Sequence, residues 1–328
     1  LPAPVLEGNR YATLVDNYAR LPQVSVTYPT VPIYHADMQA LTCLAQVIGQ
    51  GKASVFYKYI EKKQKAISVV AFSSMSELAG EFSIRATPSP GVTIAELKKM
   101  IDAALDSFEL RGVTEEDVAK FKGSFESQTI NGLQSVSGKV FQLAQFQTLA
   151  GNANMISKLI EMNAAVTKED VMRVYNRYIK GKPAVILSVV PKGQESNIVA
   201  ADNYKVDQSK YKSPDYGYTG LKYTKAADKF DRSKLPGNGA NPAVKVPAFW
   251  KKDLENGIKV IGSESKELPL VTMSFTIPGG QLLQAGDTSK AGLSRMFALM
   301  MNEDTKNYSG EQMQIELRSI QQNLGITT

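Results

Sequence analysis

Apolar and polar positions first alternate in QVSVTYPT, from Gln23 to Thr30, which predicts a strand ended by Pro29 and Pro32. The period then lengthens. Met38, Leu41, Leu44, Ala45 and Ile48 recur at helical spacing, with Gly49 and Gly51 as the stop, and a second short helix carries Phe56, Tyr57 and Ile60. Two β-prone runs follow, AISVVAFSSM from Ala66 and GEFSIRAT from Gly80, and the polar break at Ser76 and Glu77 suits an antiparallel connection. Thr93 and Glu96 form a capping box, with Ile94, Leu97, Met100, Ile101, Ala104, Leu105 and Phe108 as one apolar stripe behind it. Gly112 stops that helix, and Thr114 with Asp117 starts a longer one through Phe121, Phe125 and Leu133, with breaks or kinks expected at Gly132 and Gly138. Thr167 with Asp170 caps a further helix bearing Val171, Val174, Tyr175 and Tyr178, and AVILSVV from Ala184 reads as a short strand.

Strands separated by blocks of helices, with an antiparallel pair among them, predict an α+β domain over residues 1–192, a mainly antiparallel sheet covered by helices on one side. From Lys192 to Lys245 the pattern stops, and ten basic residues, six acidic residues, five Tyr and three Pro occur without a period, so residues 193–245 read as an extended linker. Residues 246–328 resume a pattern. Two short strands flank the Glu255-Asn256-Gly257 turn, LVTMSFTIPGG from Leu270 reads as a third, and helices are expected from about Ser289 to Met301 and behind Ser309 with Gln312 in capping-box register. This last portion has too few strands for a complete sheet. It reads as the opening of a second domain, whose strand edges after Phe249 and Leu270 should pair with a further chain segment or in a homo-oligomer.

Composition narrows the chemistry. The chain of 328 residues has one His and one Cys, so a two-His zinc site is impossible within it and any Cys–His pair must use His35 and Cys43. Those two are eight positions apart, roughly 12 Å along a helix, which argues against a direct dyad; His35 reads as an ordinary cap or surface residue and Cys43 as a small buried apolar one. The net charge of +6 is small for this length. The Tyr and Lys interleaving at Tyr204, Lys205, Lys210, Tyr211, Lys212, Tyr223 and Lys225 keeps a nucleic-acid strip as a competing reading beside the ordinary solvated strap, and the balance falls on no nucleic acid. Gly237-Asn238-Gly239 lies in a Pro-flanked loop and makes a poor phosphate cradle. No apolar stretch is long enough for a membrane span and the first residues lack the pattern of a signal peptide, although the opening at Leu1 rather than Met leaves room for a segment removed upstream.

The segment Ala291–Gly325 is the most informative. Pro278-Gly279-Gly280, Gly292-Leu293, Met300, Thr305-Lys306-Asn307-Tyr308-Ser309 and Asn323-Leu324-Gly325 fall at spacings that resemble the pitrilysin/insulinase (M16) family of zinc peptidases. Active domains of that family carry H-x-x-E-H on the helix after the Gly-Gly strand end, so that two imidazoles and a general-base carboxylate share one helical face. Arg295, Ala298 and Leu299 stand at those positions here, and none can ligate zinc or accept a proton. Leu21 to Val24, His35-Ala36-Asp37, Gly51 to Ser54, Gly80-Glu81-Phe82 and Gly112 to Glu116 resemble the family's second, non-catalytic domain type.

The resemblance implies a middle portion of a zinc endopeptidase: a chamber-wall domain, a strap, and the start of a degenerate second half. It further implies no catalytic residue and no metal ligand in this chain, zinc only in the parent protein, and a catalytic M16 domain supplied in cis or in trans. The expected ligand is an extended peptide or small protein, often held by strand addition to a sheet edge. The alternative within the family is a non-catalytic partner subunit of a heterodimeric peptidase. A periplasmic or secreted location follows if a signal segment lies upstream.

Overall fold

The computed structural model describes residues 5–205, 212, 215, 217–224, 231, 233–234, 237, 239, 246–268, 270–277, 279–280, 286–301 and 303–319. These fall into two compact units, Leu1–Lys205 with Phe275–Thr328 and, separately, Val206–Ser274.

The larger unit is built on a five-stranded sheet in the order β1-β5-β2-β4-β3. Its strands are β1 (Arg10–Asp16), β2 (Gln23–Thr30), β3 (Ala66–Met75), β4 (Gly80–Pro88) and β5 (Val185–Pro191). β2–β4, β2–β5 and β3–β4 are antiparallel and β1–β5 is parallel, so the fold is the expected α+β sheet under helices. β1 is an addition to the sequence reading. RYATLVD does not alternate in burial, and its partner lies about 175 positions away in the chain, so local pattern gives no notice of it.

Alternation in β2 places Val24, Val26 and Tyr28 in the core, where Phe82, Ile84 and Ala86 of β4, Val69 and Ala71 of β3 and Ile186 and Val190 of β5 join them. Helices α1 (Met38–Gly49), α2 (Ile94–Arg111) and α6 (Lys168–Tyr178) cover that face, with α3 (Glu115–Gly132), α4 (Val136–Ala150) and α5 (Ile156–Ala164) outside them. Capping boxes start three of these helices as the sequence predicts, at Thr93, Thr114 and Thr167. α1 runs so close to β3 that its last residue must be Gly: a methyl on Gly49 would collide with the backbone nitrogen and Cβ of Ala71. The segment carrying Phe56, Tyr57 and Ile60 is a π-helical turn, Tyr57–Glu61, in which Lys62 and Lys65 donate to the carbonyls five positions back at 2.8 and 3.1 Å. Gly132 ends α3, whereas Gly138 lies within α4 and receives the Ser135 cap instead of breaking the helix.

The C-terminal pattern is partly corrected. The hairpin β6 (Phe249–Asp253) and β7 (Lys259–Ser263) forms around the expected turn, with Trp250 against Gly262. No strand forms over 270–277, where Val271, Met273, Phe275 and Ile277 are exposed; a β-prone run without a pairing edge has nothing to hydrogen-bond. Pro278 and residues 281–285 lie outside the described residues. The first terminal helix is shorter than expected, α7 at Leu293–Met300, preceded by a 3-10 turn at Thr288–Lys290. The second, α8 (Gly310–Ser319), begins as predicted: Ser309 N–H donates to Gln312 Oε1 at 2.9 Å and Gln312 N–H returns to Ser309 Oγ at 3.2 Å.

Candidate functional site

Three places bear on function: the face of the sheet opposite the helices, the two sheet edges, and helix α7. Pairing register assembles the open face. Arg10, Ala12 and Leu14 lie beside Val185, Leu187 and Val189; Gln23, Ser25 and Thr27 come next, then Arg85 and Ser83, then Val70 and Phe72. Thr27 and Ser83 share a hydroxyl hydrogen bond of 2.9 Å, and the Arg85 guanidinium stands 5.3 Å from the Phe72 ring centre. Leu14, Val70 and Arg85 are exposed and Leu187, Val189 and Phe72 half-buried, so the face is a broad mixed surface of apolar, hydroxyl and cationic groups.

Both edges of this sheet are partly occupied by its own chain. On β1, Tyr11 N–H donates to Asn203 Oδ1 at 2.9 Å and Asn203 N–H to Tyr11 O at 3.3 Å, and Thr13 Oγ1 donates to Asp202 at 2.7 Å. On β3, Val69 N–H donates to Glu61 Oε1 at 2.6 Å and Gln50 Nε2 donates to Ala71 O at 3.3 Å. Side chains that take up edge groups in this way deny them to an incoming strand.

Helix α7 carries the positions singled out from the sequence. Arg295 and Leu299 are exposed and Ala298 is buried. One helical face does bring the three together, but a guanidinium, a methyl and an isobutyl group offer zinc no lone pair. These residues do not fit the metal that the resemblance implies for active domains. Among the described residues, no group of three His, Cys, Asp or Glu could hold a metal ion.

His35 and Cys43 are not brought together as a dyad. His35 Nδ1 accepts the Asp37 N–H at 3.0 Å. Cys43 is buried on α1, and burial pushes its thiol up to about 12, which keeps it protonated and unreactive at neutral pH. Of the linker residues, Lys210, Tyr211 and Lys225 lie outside the described residues, as does Asn238 of the Gly-Asn-Gly loop; Tyr204 packs under Arg10 with its ring centre 4.2 Å away.

Sequence reading missed one polar cluster. The Asp37 carboxylate at the start of α1, with a side chain 5% exposed, accepts from Arg173 Nη1 at 2.8 Å, from Tyr178 Oη at 2.7 Å and from Arg177 Nη1 at 3.4 Å. Burial pushes this carboxyl up, but the Tyr178 and Arg173 hydrogen bonds, the Arg173 charge and His35 outweigh it and hold the group below its ordinary value. The four-residue spacing of Arg173 and Arg177 was the available signal. The cluster ties α1 to α6.

Comparison with known proteins finds similarity to zinc peptidases for the part of the chain that holds this sheet and its helical cover. Residues 1–124 match the family described as the Peptidase M16 inactive domain. Over those residues the chain is similar to the non-catalytic domain type of M16 peptidases. Zinc protease PqqE of Helicobacter pylori is 25% identical over 193 residues, 57% of this chain and 42% of that protein. An uncharacterized zinc protease of Streptomyces coelicolor, SCO5738, is 24% identical over 152 residues, 46% of this chain and 32% of that protein. A crystal structure of a protease from Helicobacter pylori shares the fold, with a TM-score of 0.52 and 23% identity over 57% of this chain and 45% of that one. The chain spans less than half the length of the curated relatives it matches. No helix among the described residues is long and apolar enough to cross a membrane.

Proposed function

We propose that this chain is a non-catalytic portion of a zinc-dependent M16-type endopeptidase, with residues 1–192 as a wall of the substrate chamber and the zinc-bearing domain lying outside it. Residues 193–245 are then the strap between halves, and residues 246–328 the start of a degenerate domain in which Arg295, Ala298 and Leu299 replace the metal motif. The observation that carries the reading is the sheet: helices bury one face, while the other leaves Leu14, Val70 and Arg85 exposed and Leu187 and Phe72 half-buried. Such a surface holds extended peptide weakly and with little sequence preference. The engaged groups at Tyr11, Val69 and Ala71 favour contact through this face over strand addition at those edge positions.

The chain's mechanistic share is binding and orientation. Zinc, when bound by the catalytic domain, activates water and polarises the peptide carbonyl; this chain holds the substrate outside that site and excludes solvent from it.

The test compares the chain alone with the chain joined to, or mixed with, a zinc-bearing M16 domain. Alone, it is expected to hold no stoichiometric zinc and to leave a quenched fluorogenic peptide intact; with the catalytic domain, cleavage appears and is lost on chelation. Activity on simple mixing assigns a partner subunit, and activity only when covalently joined assigns one polypeptide. Charge reversal at Arg85 or a Leu187→Lys change should raise KM severalfold with little effect on kcat. Chelator-sensitive cleavage by the chain alone, or indifference of KM to both changes, overturns the proposal.

A further inference from the structure

Five lysines crowd the turn and π-helical segment after α1: Lys52, Lys58, Lys62, Lys63 and Lys65, with Glu61 as the single acid between them. Glu61 is turned inward onto the Val69 N–H, so it does not neutralise the outer surface. Lys58, Lys62, Lys63 and Lys65 are all exposed. The stretch 303–316 has the opposite character, with Glu303, Asp304, Glu311 and Glu316 against Lys306 alone.

The larger unit brings these two stretches together. Lys52 Nζ lies 2.8 Å from Glu303 Oε2, Lys62 Nζ lies 2.5 Å from Glu311 Oε1, and the Lys52 N–H donates to Gln314 Oε1 at 3.0 Å. The acidic stretch is shaped for this. Thr305 and Tyr308 close a turn by N–H to carbonyl at 2.8 Å, and Asp304 accepts the Gly310 N–H at 2.7 Å, which sets Glu303 and Glu311 on the side that meets the lysines. Helix α8 lies against α3 there, with Met313, Ile315 and Leu317 only half-buried.

We propose that the lysine-rich edge after α1 is the docking site for the acidic stretch 303–316, and that together they form a salt-labile clasp holding α8 against the N-terminal domain. Its ion pairs have an exposed partner on one side or the other, Glu303 at 52% and Lys62 at 61%. Pairs of that kind are weak and screened by salt, and the screening length falls from about 10 Å at 0.1 M to about 3 Å at 1 M. The clasp therefore closes at low ionic strength and opens readily, releasing α8 from α3 while the sheet stays folded.

Hydrogen exchange on the full chain tests this. Amides of α8 are expected to exchange roughly 3–10-fold faster at 1 M than at 0.05 M sodium chloride, with β2 and β4 unchanged. Lys52→Glu with Lys62→Glu should speed α8 exchange to a similar degree at low salt. Adding Glu303→Lys and Glu311→Lys to that variant should restore slow exchange, which a general loss of folding would not allow. Zero-length carbodiimide coupling of the unmodified chain should join Lys52 to Glu303 and Lys62 to Glu311 at low salt and fail at high salt. Protection of α8 that is indifferent to salt, or a charge swap that does not restore it, overturns the clasp; if the reversed variant loses its sheet, the salt series on the unmodified chain still decides.

Discussion

Asp37 joins two helices of the layer over the sheet, α1 and α6. Its carboxylate is buried and takes hydrogen bonds from Arg173 and Tyr178, while the arginines themselves reach solvent. Removing a charge-assisted acceptor from such a site costs roughly 1.5–3 kcal/mol, and Asp37→Ala is expected to lower stability by about that amount in denaturant melts. The pH dependence has a definite sign. The folded group is held below its unfolded value of about 3.9, so its stabilisation is complete above that pH and is lost as pH falls through the lower folded value. The wild type should therefore lose stability on acidification below about pH 4, and the Asp37→Ala variant should show a flatter profile over that window. Gly49→Ala is a second residue-scale prediction: helix and strand must separate to admit one methyl, an overpacking cost of about 1–3 kcal/mol, visible as a lower melting temperature with the fold intact. Neither residue announced its role in the sequence. Gly49 read as a helix stop, and Asp37 only as a member of the His35-Ala36-Asp37 run, because the partners that constrain them, Ala71 and Arg173, are distant in the chain.

At the scale of elements, local chemistry was legible and distant pairing was not. Thr93, Thr114, Thr167 and Ser309 each begin a helix because a hydroxyl and an acid or amide three residues on satisfy each other's end groups, an arrangement complete within four residues. Thr93→Ala should cost about 1 kcal/mol, and Thr93→Ser much less; equal losses from the two would mean that the box does not hold α2. β1 shows the opposite case, since its partner β5 arrives near the end of the domain. The run from Leu270 shows a third: its β-branched and aromatic alternation is strong, yet 270–277 forms no strand. Propensity describes a surface suited to a sheet, and the sheet must still be there. Edge protection follows the same logic, and Glu61→Ala, which frees the Val69 N–H at the β3 edge, should increase aggregation on warming more than it lowers the melting temperature.

Over the whole molecule, burial of large apolar side chains is uneven. In the first 205 residues large apolar side chains fill a core from β2 to α6, whereas Val271, Met273, Phe275, Ile277, Leu293, Met296, Phe297 and Met300 are all more than half exposed. The family resemblance was legible because motif order and spacing survive without contacts, and the proposed degenerate motif at Arg295, Ala298 and Leu299 likewise rests on register alone. What completes the apolar surface was not legible, since no local pattern encodes a partner. Exposed faces of this extent promote association. The isolated chain is therefore expected to sediment as a concentration-dependent mixture, and Phe275→Ser with Phe297→Ser should shift it toward monomer while leaving the sheet's melting unchanged. A wild-type chain that sediments as a single monomeric species at every accessible concentration would contradict this. Monomer in the presence of a catalytic M16 domain, and oligomer without it, would instead show that the surface is one the larger peptidase covers.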